Sequence, residues 1–251
     1  MSGTLAGKVA LITGASRGLG KAMAIALAEA GASIALVGRD REQLAKSAEE
    51  VWRTGSGGQV FQADVTSEDD VRRLEAEVSQ ALGRIDILIN NAGVNVRKAI
   101  TEFTLAEWRY VIDTTLTGTF LMCRAFVPHM KGRDYGRIIN LASTMAHVSI
   151  PARTAYSASK SGILGFTRAL ALELAPERIT VNAISPGLFA TEMNTPLMEN
   201  PALNAQFVSK IPLARWGRVE EVGRLAVYLC SPEAGYITGT DVLMDGGWCA
   251  Q

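Results

Sequence analysis

The 251-residue sequence has few side chains that bind metals or form disulfides. It contains three cysteines and two histidines, and none stands in a C-x-x-C or H-E-x-x-H pattern. Cys123, Cys230 and Cys249 are far apart and odd in number, which favours core packing in a reducing compartment over a disulfide framework. We therefore expect no metal site and a cytoplasmic protein.

Excess charge and long apolar runs are also missing. Lys and Arg total 25 and Asp and Glu total 25, so the formal net charge is zero. Without a broad positive field, no nucleic-acid partner and no anionic membrane are expected. The segment MSGTLAGK lacks a basic stretch followed by an apolar one, and no run reaches the roughly 18 uncharged apolar residues that span a bilayer. A small-molecule partner is the expectation that remains.

Short β-rich runs alternate with longer helical patterns along the chain. Such alternation is typical of βαβ units and predicts an α/β fold with a parallel sheet. No Pro-, Gly- or Ser-rich linker divides the chain, so we predict a single domain over residues 1–251. The predicted strands are residues 9–13, 33–38, 59–63, 85–90, 137–142 and 178–184, with a last strand near 241–244 closing one edge.

Residues 186–218 are the least regular stretch of the sequence. They follow the sixth predicted strand, and their prolines are expected to interrupt helical structure. In an open α/β sheet the loops at the carboxyl ends of the strands face the ligand, so this segment is a candidate substrate lid. We refer to residues 186–218 as the lid segment.

Two chemistries fit the segment TGASRGLG at residues 13–20. Its inner GASRG satisfies the G-x-S-x-G pattern of a hydrolase nucleophile elbow with Ser16 as nucleophile, and its glycines also suit a turn that holds a phosphate. Phosphate binding is favoured because the segment links the first strand to an Ala-rich helix, whose first N–H groups would face an anion. A serine hydrolase and a purely structural turn remain the alternatives.

A phenol and an ammonium stand four residues apart in YSASK, at Tyr156 and Lys160. On a helix this spacing places both on one face, where the cation would lower the pKa of the phenol from its usual value of about 10. Ser143 ends the predicted fifth strand and would meet them at the carboxyl edge of the sheet. Taken alone, the pair fits an exposed Tyr and Lys on an ordinary helix surface equally well.

Together these motifs closely resemble the classical short-chain dehydrogenase/reductase family. The resemblance rests on TGASRGLG, NNAG at 90–93, Ser143, YSASK at 156–160 and PGLFAT at 186–191, in the family's order and spacing. It implies a single-domain Rossmann fold, a doubly wound parallel sheet with helices on both faces, and hydride transfer between a nicotinamide cofactor and a carbonyl carbon. Tyr156 would be the general acid in reduction, Ser143 would hold the substrate oxygen, and Lys160 would hold the nicotinamide ribose and tune Tyr156.

The resemblance also implies which residues contact the cofactor. In the glycine turn these are Gly14, Ser16, Arg17, Gly18, Leu19 and Gly20, and beyond it they are Asp64, Val65, Asn91, Ala92, Gly93, Tyr156, Lys160, Pro186, Gly187 and Thr191. Asn182 is expected to be structural, because its amide can bond backbone groups between a strand and a loop.

Cofactor choice depends on the end of the second predicted strand, ALVGRD. NAD-binding proteins place an acid there, which bonds the adenosine ribose and repels the extra phosphate of NADP. Gly38 occupies that position, and Asp40 is expected to cap the next helix with Gln43 as its capping-box partner. Arg39 and Arg17 are then available to bind a 2′-phosphate, so NADP(H) is favoured over NAD(H).

The substrate is only faintly encoded. Arg97 after NNAG, with FATEMNTPL and ARWGRVEEV, resembles the gluconate 5-dehydrogenase-like branch of the family, whereas the general motifs equally suit 3-oxoacyl-ACP reductases. A 3-oxoacyl thioester and a sugar acid such as 5-ketogluconate or gluconate are the two candidates. Arg97 either binds a substrate carboxylate or is an exposed loop arginine. His147 either borders the same pocket or is a partly buried histidine bonded to backbone.

The resemblance further implies a homotetramer. Residues 104–131 and 154–175 carry apolar side chains beyond one narrow helical stripe. Surfaces of that kind are usually covered. We therefore expect a homo-oligomer with these two segments at its interfaces.

One position departs from the family pattern. The family usually has Asn in a context like TNLTG, where it is thought to fix a helix kink and a water that links the lysine to solvent. This chain reads DTTLTG, with Thr115 in the Asn position. Thr115 is expected to point toward the site and to bond the helix carbonyl four residues back, leaving fewer groups to hold that water. A weakened proton relay, a relay rescued by a shifted water, and an NADP-binding sensor without turnover are the three hypotheses.

Overall fold

The computed structural model describes residues 3–251, so the first two residues of the expected 1–251 domain lie outside the described residues. Its strands form one parallel sheet in the order β3-β2-β1-β4-β5-β6-β7. Because the order reverses between β1 and β4, the sheet is doubly wound, as predicted. The strands are β1 Val9–Thr13, β2 Ser33–Gly38, β3 Gly58–Gln62, β4 Ile87–Asn90, β5 Gly136–Leu141, β6 Ile179–Pro186 and β7 Asp241–Met244.

Burial explains why the central strands are nearly continuous apolar runs. Every residue of β1, β4, β5 and β6 is buried, since helices cover both faces of the sheet. In the edge strand β3, buried and more exposed residues alternate. In the edge strand β7, every residue is partly or fully exposed. The predicted bounds of β1, β2 and β7 are confirmed, and those of the other four strands differ by one or two residues at one or both ends.

Helices pack in two layers against the sheet. Met23, Leu27 and Ala226 represent the apolar core on one face, and Leu74, Phe126 and Leu174 represent the core on the other. No helix within residues 3–251 is both long enough and apolar enough to cross a membrane. The helices are α1 Gly18–Glu29, α2 Arg41–Trp52, α3 Glu68–Leu82, α4 Leu105–Ile112, α5 Gly118–Phe126, α6 Thr154–Leu174, α7 Thr195–Met198, α8 Pro201–Val208 and α9 Val219–Cys230.

The lid segment contains α7 and α8, so the expectation that its prolines interrupt helical structure was wrong. Pro201 is the first residue of α8, where a proline loses no helical hydrogen bond and its fixed φ suits the helix. Asn200 caps the same helix by accepting hydrogen bonds from the N–H groups of Ala202 and Leu203 at 3.1 and 3.2 Å. Pro196 and Pro201 therefore lie at the starts of the two helices, whereas Pro186 ends β6 and Pro212 lies in a turn.

Candidate active site

A cavity of about 900 Å³ opens at the carboxyl ends of the central strands. Most of the residues expected to bind a cofactor or to catalyse line this cavity. They are Gly14, Ser16, Arg17, Gly18, Leu19, Arg39, Asp64, Val65, Asn91, Ala92, Gly93, Ser143, Tyr156, Lys160, Pro186, Gly187 and Thr191. Sequence reasoning missed other lining residues, because a motif does not show which of its members and neighbours face the cavity; among them are Val94, Asn95, Thr114 and Phe189.

The glycine turn is shaped for close approach of a ligand and of its neighbour strand. Gly14 and Gly18 have φ of +63° and +56°, a conformation that favours glycine. A Cβ at Gly14 would lie 2.8 Å from Asn91 Nδ2, and one at Gly20 would lie 2.4 Å from the same atom. Gly20 is buried outside the cavity lining, so its visible role is to let α1 pack against the turn.

Asn91 ties the end of β4 to this turn. Its Nδ2 donates to the carbonyls of Thr13 and Gly14 at 3.0 and 3.1 Å. In return Thr13 Oγ1 accepts from the N–H groups of Asn91 and Ala92, both at 3.0 Å. These bonds fix the turn after β1 against the NNAG loop. Gly93 of that loop lines the cavity.

Among the described residues, Ser16 has no hydrogen bond to a histidine, and neither histidine lines the cavity that Ser16 lines. His129 Nε2 lies 2.6 Å from Glu75 Oε1, and His147 Nε2 lies 2.6 Å from Asp241 Oδ2. The Ser16 carbonyl accepts a bond from Ser47 Oγ at 3.0 Å, which fixes the turn against α2. Among the described residues, Ser16 therefore lacks the adjacent histidine base that a nucleophile elbow requires.

One end of the cavity, after β2, is lined by Arg17, Gly38 and Arg39. Arg39 Nη1 lies 3.9 Å from Asp64 Oδ2. A hydrogen bond with the Tyr110 side chain, and then the charge of Asp64, raise the pKa of Arg39. The guanidinium is therefore a permanent cation at this end of the cavity.

Asp40 caps α2, as expected. Its Oδ1 accepts from the Gln43 N–H at 3.0 Å, which is one half of the predicted capping box. The Asp40 carboxylate is thereby held at the start of α2. Gly38 occupies the position at the end of β2 where NAD-binding proteins have an acid.

Ser143, Tyr156 and Lys160 come together where β5 ends and α6 begins. Ser143 Oγ accepts from the Met145 N–H at 3.1 Å and so caps the short turn Thr144–Ala146. Lys160 is 4% exposed, its Nζ donates to the Leu141 carbonyl, and Nζ lies 5.7 Å from the centre of the Tyr156 ring. A hydroxyl, a phenol and an ammonium therefore share one wall of the cavity.

Burial controls the pKa values of this group. It lowers the pKa of Lys160 to about 8, because burial disfavours the charged ammonium. It also raises the pKa of Tyr156, against which a hydrogen bond from Ser143 and the charges of Arg153 and Arg97 act. The expected lowering of the Tyr156 pKa by Lys160 stays a prediction, because burial sets the direction of the shift while the Lys160 ammonium lies 5.7 Å from the centre of the ring. Arg153 was missed, although its position three residues before Tyr156 was a signal.

Thr115 lies in a single π-helical turn, Asp113–Thr117, between α4 and α5. It is 1% exposed and, within residues 3–251, its Oγ1 has no hydrogen-bond partner. The expected bond from this hydroxyl to the carbonyl four residues back is therefore wrong, and Thr119 Oγ1 instead donates to the Thr115 carbonyl at 2.8 Å. A Cβ built at Gly93 would lie 3.5 Å from Thr115 Oγ1 and 3.6 Å from Lys160 Nζ, so these residues are neighbours.

His147 joins the Ser143 turn to the edge of the sheet. Its ring bonds the Asp241 carboxylate rather than the backbone, and Ser185 Oγ donates to the same Asp241 oxygen at 2.8 Å. Asn182 is structural, as expected, because its Nδ2 donates to the Ile237 carbonyl at 2.8 Å and its Oδ1 accepts from the Thr240 N–H at 3.3 Å. His147 and Arg97 are not among the cavity-lining residues, and their contact with substrate remains a prediction.

The cavity fits a nicotinamide cofactor on the evidence of its own atoms. Gly14 and Gly18 present backbone without side chains, and the buried atoms Thr114 Oγ1 and Asn95 Oδ1 have no hydrogen-bond partner within residues 3–251. A phosphate turn at one end and a proton donor beside a buried lysine at the other define a nicotinamide-dependent oxidoreductase.

Comparison with known proteins agrees. Residues 14–249 match the family described as enoyl-(acyl carrier protein) reductase. The chain is 36% identical over 244 residues to the 3-oxoacyl-[acyl-carrier-protein] reductase FabG of Aquifex aeolicus, covering 97% of this chain and 98% of that protein. It belongs to the short-chain dehydrogenase/reductase family.

Two solved structures from Agrobacterium tumefaciens share the whole fold. One, provisionally named a gluconate dehydrogenase, has a TM-score of 0.96 at 37% identity and covers 100% of both chains. The other, provisionally named a 2-deoxy-D-gluconate 3-dehydrogenase, contains bound NADP and has a TM-score of 0.91 at 33% identity over 98% of each chain.

Proposed function

We propose that this protein is an NADP(H)-dependent oxidoreductase that interconverts a carbonyl and a secondary alcohol. The observation that carries the proposal is the convergence of Ser143, Tyr156 and Lys160 on one wall of the cavity. When bound, NADPH would supply the hydride that adds to the carbonyl carbon. In that direction Ser143 donates a hydrogen bond to the carbonyl oxygen, and Tyr156 transfers its proton to that oxygen.

The pKa values favour reduction near neutral pH. Because burial raises the pKa of Tyr156, its phenol is protonated there and ready to act as an acid. Lys160, with a pKa of about 8, is mostly charged at pH 7 and can hold a ribose hydroxyl beside the phenol. Oxidation of the alcohol needs the phenolate, so its rate should increase as the pH rises toward the pKa of Tyr156.

The preference for NADP(H) is supported by the cations after β2. Gly38 leaves no carboxylate at the position that would repel a 2′-phosphate, and Arg39 and Arg17 line the same end of the cavity. The relative with bound NADP supports the same preference. Asp64 remains available to the adenosine end through its place on the cavity wall.

Two substrate classes are supported by the relatives. A 3-oxoacyl thioester follows from the similarity to the FabG of Aquifex aeolicus. A sugar acid follows from the similarity to the Agrobacterium gluconate dehydrogenase. A screen for activity therefore has to contain compounds of both classes.

We also propose a homotetramer. Leu105 at the start of α4 is 62% exposed and Leu172 near the end of α6 is 79% exposed, and Phe120 on α5 is exposed as well. Apolar side chains in such numbers on adjacent helices favour a covered face. Light scattering at micromolar concentration tests this, and a monomeric mass would reject it.

A nucleotide-binding sensor is the second candidate, favoured by Thr115 in the position of the family's usual Asn. A screen of NADPH and NADH with acetoacetyl thioesters and 5-ketogluconate, and of NADP⁺ and NAD⁺ with gluconate, separates the two. We expect turnover with the phosphorylated cofactor. If NADPH binds but is not oxidised in the presence of any of the carbonyl compounds, the sensor hypothesis replaces the enzyme hypothesis.

A further inference from the structure

The sequence contains two histidines, and each bonds a carboxylate from a distant element. His129 Nε2 lies 2.6 Å from Glu75 Oε1 on α3, and neither residue lines the cavity. His147 Nε2 lies 2.6 Å from Asp241 Oδ2 on β7. His147 immediately follows the short turn that Ser143 caps. The same kind of contact therefore occurs once in the scaffold and once beside the candidate site.

The turn after β5 is shaped by hydrogen bonds between its own residues. Ser143 accepts two of them, at Oγ from the Met145 N–H at 3.1 Å and at its carbonyl from the Ala146 N–H at 2.9 Å. The His147 N–H donates to the Thr144 carbonyl at 3.0 Å. Because these bonds join residues two or three positions apart, they set the shape of the turn and not its place on the sheet.

Side-chain hydrogen bonds tie this turn to two other elements. Ser161 Oγ of α6 donates to the Ala146 carbonyl at 3.2 Å. Because α6 also carries Tyr156, this bond relates the turn to the proton donor. On the other side, the His147 ring reaches Asp241 and so relates the turn to the edge of the sheet.

Asp241 also holds the end of β6. Its Oδ2 accepts from Ser185 Oγ at 2.8 Å, and Ser185 is fully buried next to Pro186, which lines the cavity. The other oxygen of Asp241, Oδ1, has no hydrogen-bond partner among the described residues, so the bonds from Ser185 and His147 orient the carboxylate. Its side chain is 15% exposed, so little water competes for these bonds. One carboxylate oxygen thus joins the serine turn to the strand end at the cavity.

We propose that His147 and Asp241 are positioning residues that hold the Ser143 hydroxyl where it can donate to the substrate carbonyl. The inference rests on the proposed function, in which that hydrogen bond stabilises the oxygen that Tyr156 protonates. His147 is not among the cavity-lining residues, so its influence passes through the turn and not through contact with the substrate. A donor must be in place before charge develops, and misplacement by about 1 Å lowers a rate by as much as about 100-fold.

Three substitutions of the two histidines separate positioning from a general loss of structure. His147→Leu removes the imidazole and should lower kcat by about 10-fold, with KM and NADPH affinity changed less than about threefold, because the serine bond strengthens in the transition state. His147→Gln keeps an N–H near the position of Nε2 and should recover most of the loss. His129→Leu is the matched control, since it removes a bond of the same length. It should lower the melting temperature and leave kcat unchanged.

A kinetic double-mutant cycle shows whether His147 acts through Ser143. Ser143→Ala should lower kcat by about 10²-fold or more. Adding His147→Leu to that variant should lower kcat by less than about a further twofold. Asp241→Ala should reproduce the effect of His147→Leu, and the two together should cost no more than either one. An equal loss from His147→Leu with and without the Ser143 hydroxyl would overturn the positioning role.

Amide hydrogen exchange of the NADPH complex gives a readout that needs no turnover. His147→Leu and Asp241→Ala should each speed exchange over residues 143–148 by about 10-fold or more, because the turn loses its tie to the sheet. His147→Gln and His129→Leu should leave that exchange unchanged. A wild-type exchange rate in His147→Leu would overturn the proposal and leave the oxidoreductase intact. If no carbonyl compound is turned over, the proposed function fails, and the exchange rates then decide whether His147 anchors the turn.

Discussion

The two ends of the central strands both hold buried charge, but they use it differently. At the amino end, Asp86 is 0% exposed and accepts from the Val9 N–H at 2.9 Å and from Arg84. Arg137, 5% exposed, donates to the carbonyls of Gly136 and Ser231 at 2.9 and 3.3 Å. Its Nε has no hydrogen-bond partner among the described residues, but the Tyr135 ring lies 4.4 Å from the guanidinium carbon.

Both ends leave some bonding capacity unused, because Thr180 Oγ1 near the amino end also has no partner among the described residues. At the carboxyl end, unused bonding capacity reaches the cavity. Thr114 Oγ1 and Thr115 Oγ1 are buried without partners within residues 3–251. Among the described residues, Lys160 Nζ has a single hydrogen bond, to the Leu141 carbonyl, so two of its three donors remain. Burial alone therefore does not identify a site. A site is indicated where groups with unused hydrogen-bonding capacity line a cavity, as Thr114 and Lys160 do.

Tyr156→Phe and Tyr135→Phe provide the strongest test of this difference. Tyr156→Phe removes the ionisable oxygen, so turnover should fall by about 10²-fold or more while NADPH still binds. Tyr135→Phe removes the hydroxyl that donates to the Cys230 carbonyl. It should cost about 1 kcal/mol of unfolding free energy and leave turnover nearly unchanged.

Steady-state kinetics and urea denaturation measure both effects. If Tyr156→Phe keeps near-normal turnover, the chemistry lies elsewhere in the cavity. If Tyr135→Phe slows turnover as strongly as Tyr156→Phe, the two ends are coupled and the contrast between them is wrong.

Arg39→Ala examines the cofactor end of the cavity, with a smaller expected effect. Loss of a charge-assisted bond to the 2′-phosphate should weaken NADPH binding by about 1 to 3 kcal/mol and change NADH binding little. Arg53→Ala, at the exposed end of α2, is the matched control. Fluorescence titration with each cofactor measures the affinities, and equal losses for NADPH and NADH would exclude the phosphate contact.

The sequence predicted the structure well where a single short segment determines it. The strands β1 and β2 follow from continuous apolar runs, and the Asp40 cap from a local spacing of three residues. It was uninformative where a side chain takes its partner from a distant segment. His147 bonds Asp241, 94 residues away, and nothing near either residue in the sequence indicates it.

The same limit applies at the site. Lys160 was expected to lower the pKa of Tyr156 because the two are one helical turn apart. The fold directs the ammonium to the Leu141 carbonyl, 19 residues earlier, and burial is the main influence on the pKa of the phenol. The spacing of residues in the sequence predicted which residues lie close together. Only the tertiary structure shows which of their atoms are in contact.

Thr115 gives the smallest and most specific test, because the π-helical turn persists although the family's usual Asn is replaced. Its hydroxyl has no partner among the described residues and lies next to Gly93 and Lys160. Thr115→Asn offers two donors and an acceptor there, and should raise turnover about two- to fivefold and shift its pH profile, with NADPH affinity unchanged. Thr115→Val keeps the shape, removes the hydroxyl, and should lower turnover by a similar factor. Turnover measured from pH 6 to 10, with melting temperature as the folding control, decides between relay hypotheses. If neither variant changes the rate or the profile, proton delivery to Lys160 does not pass through position 115.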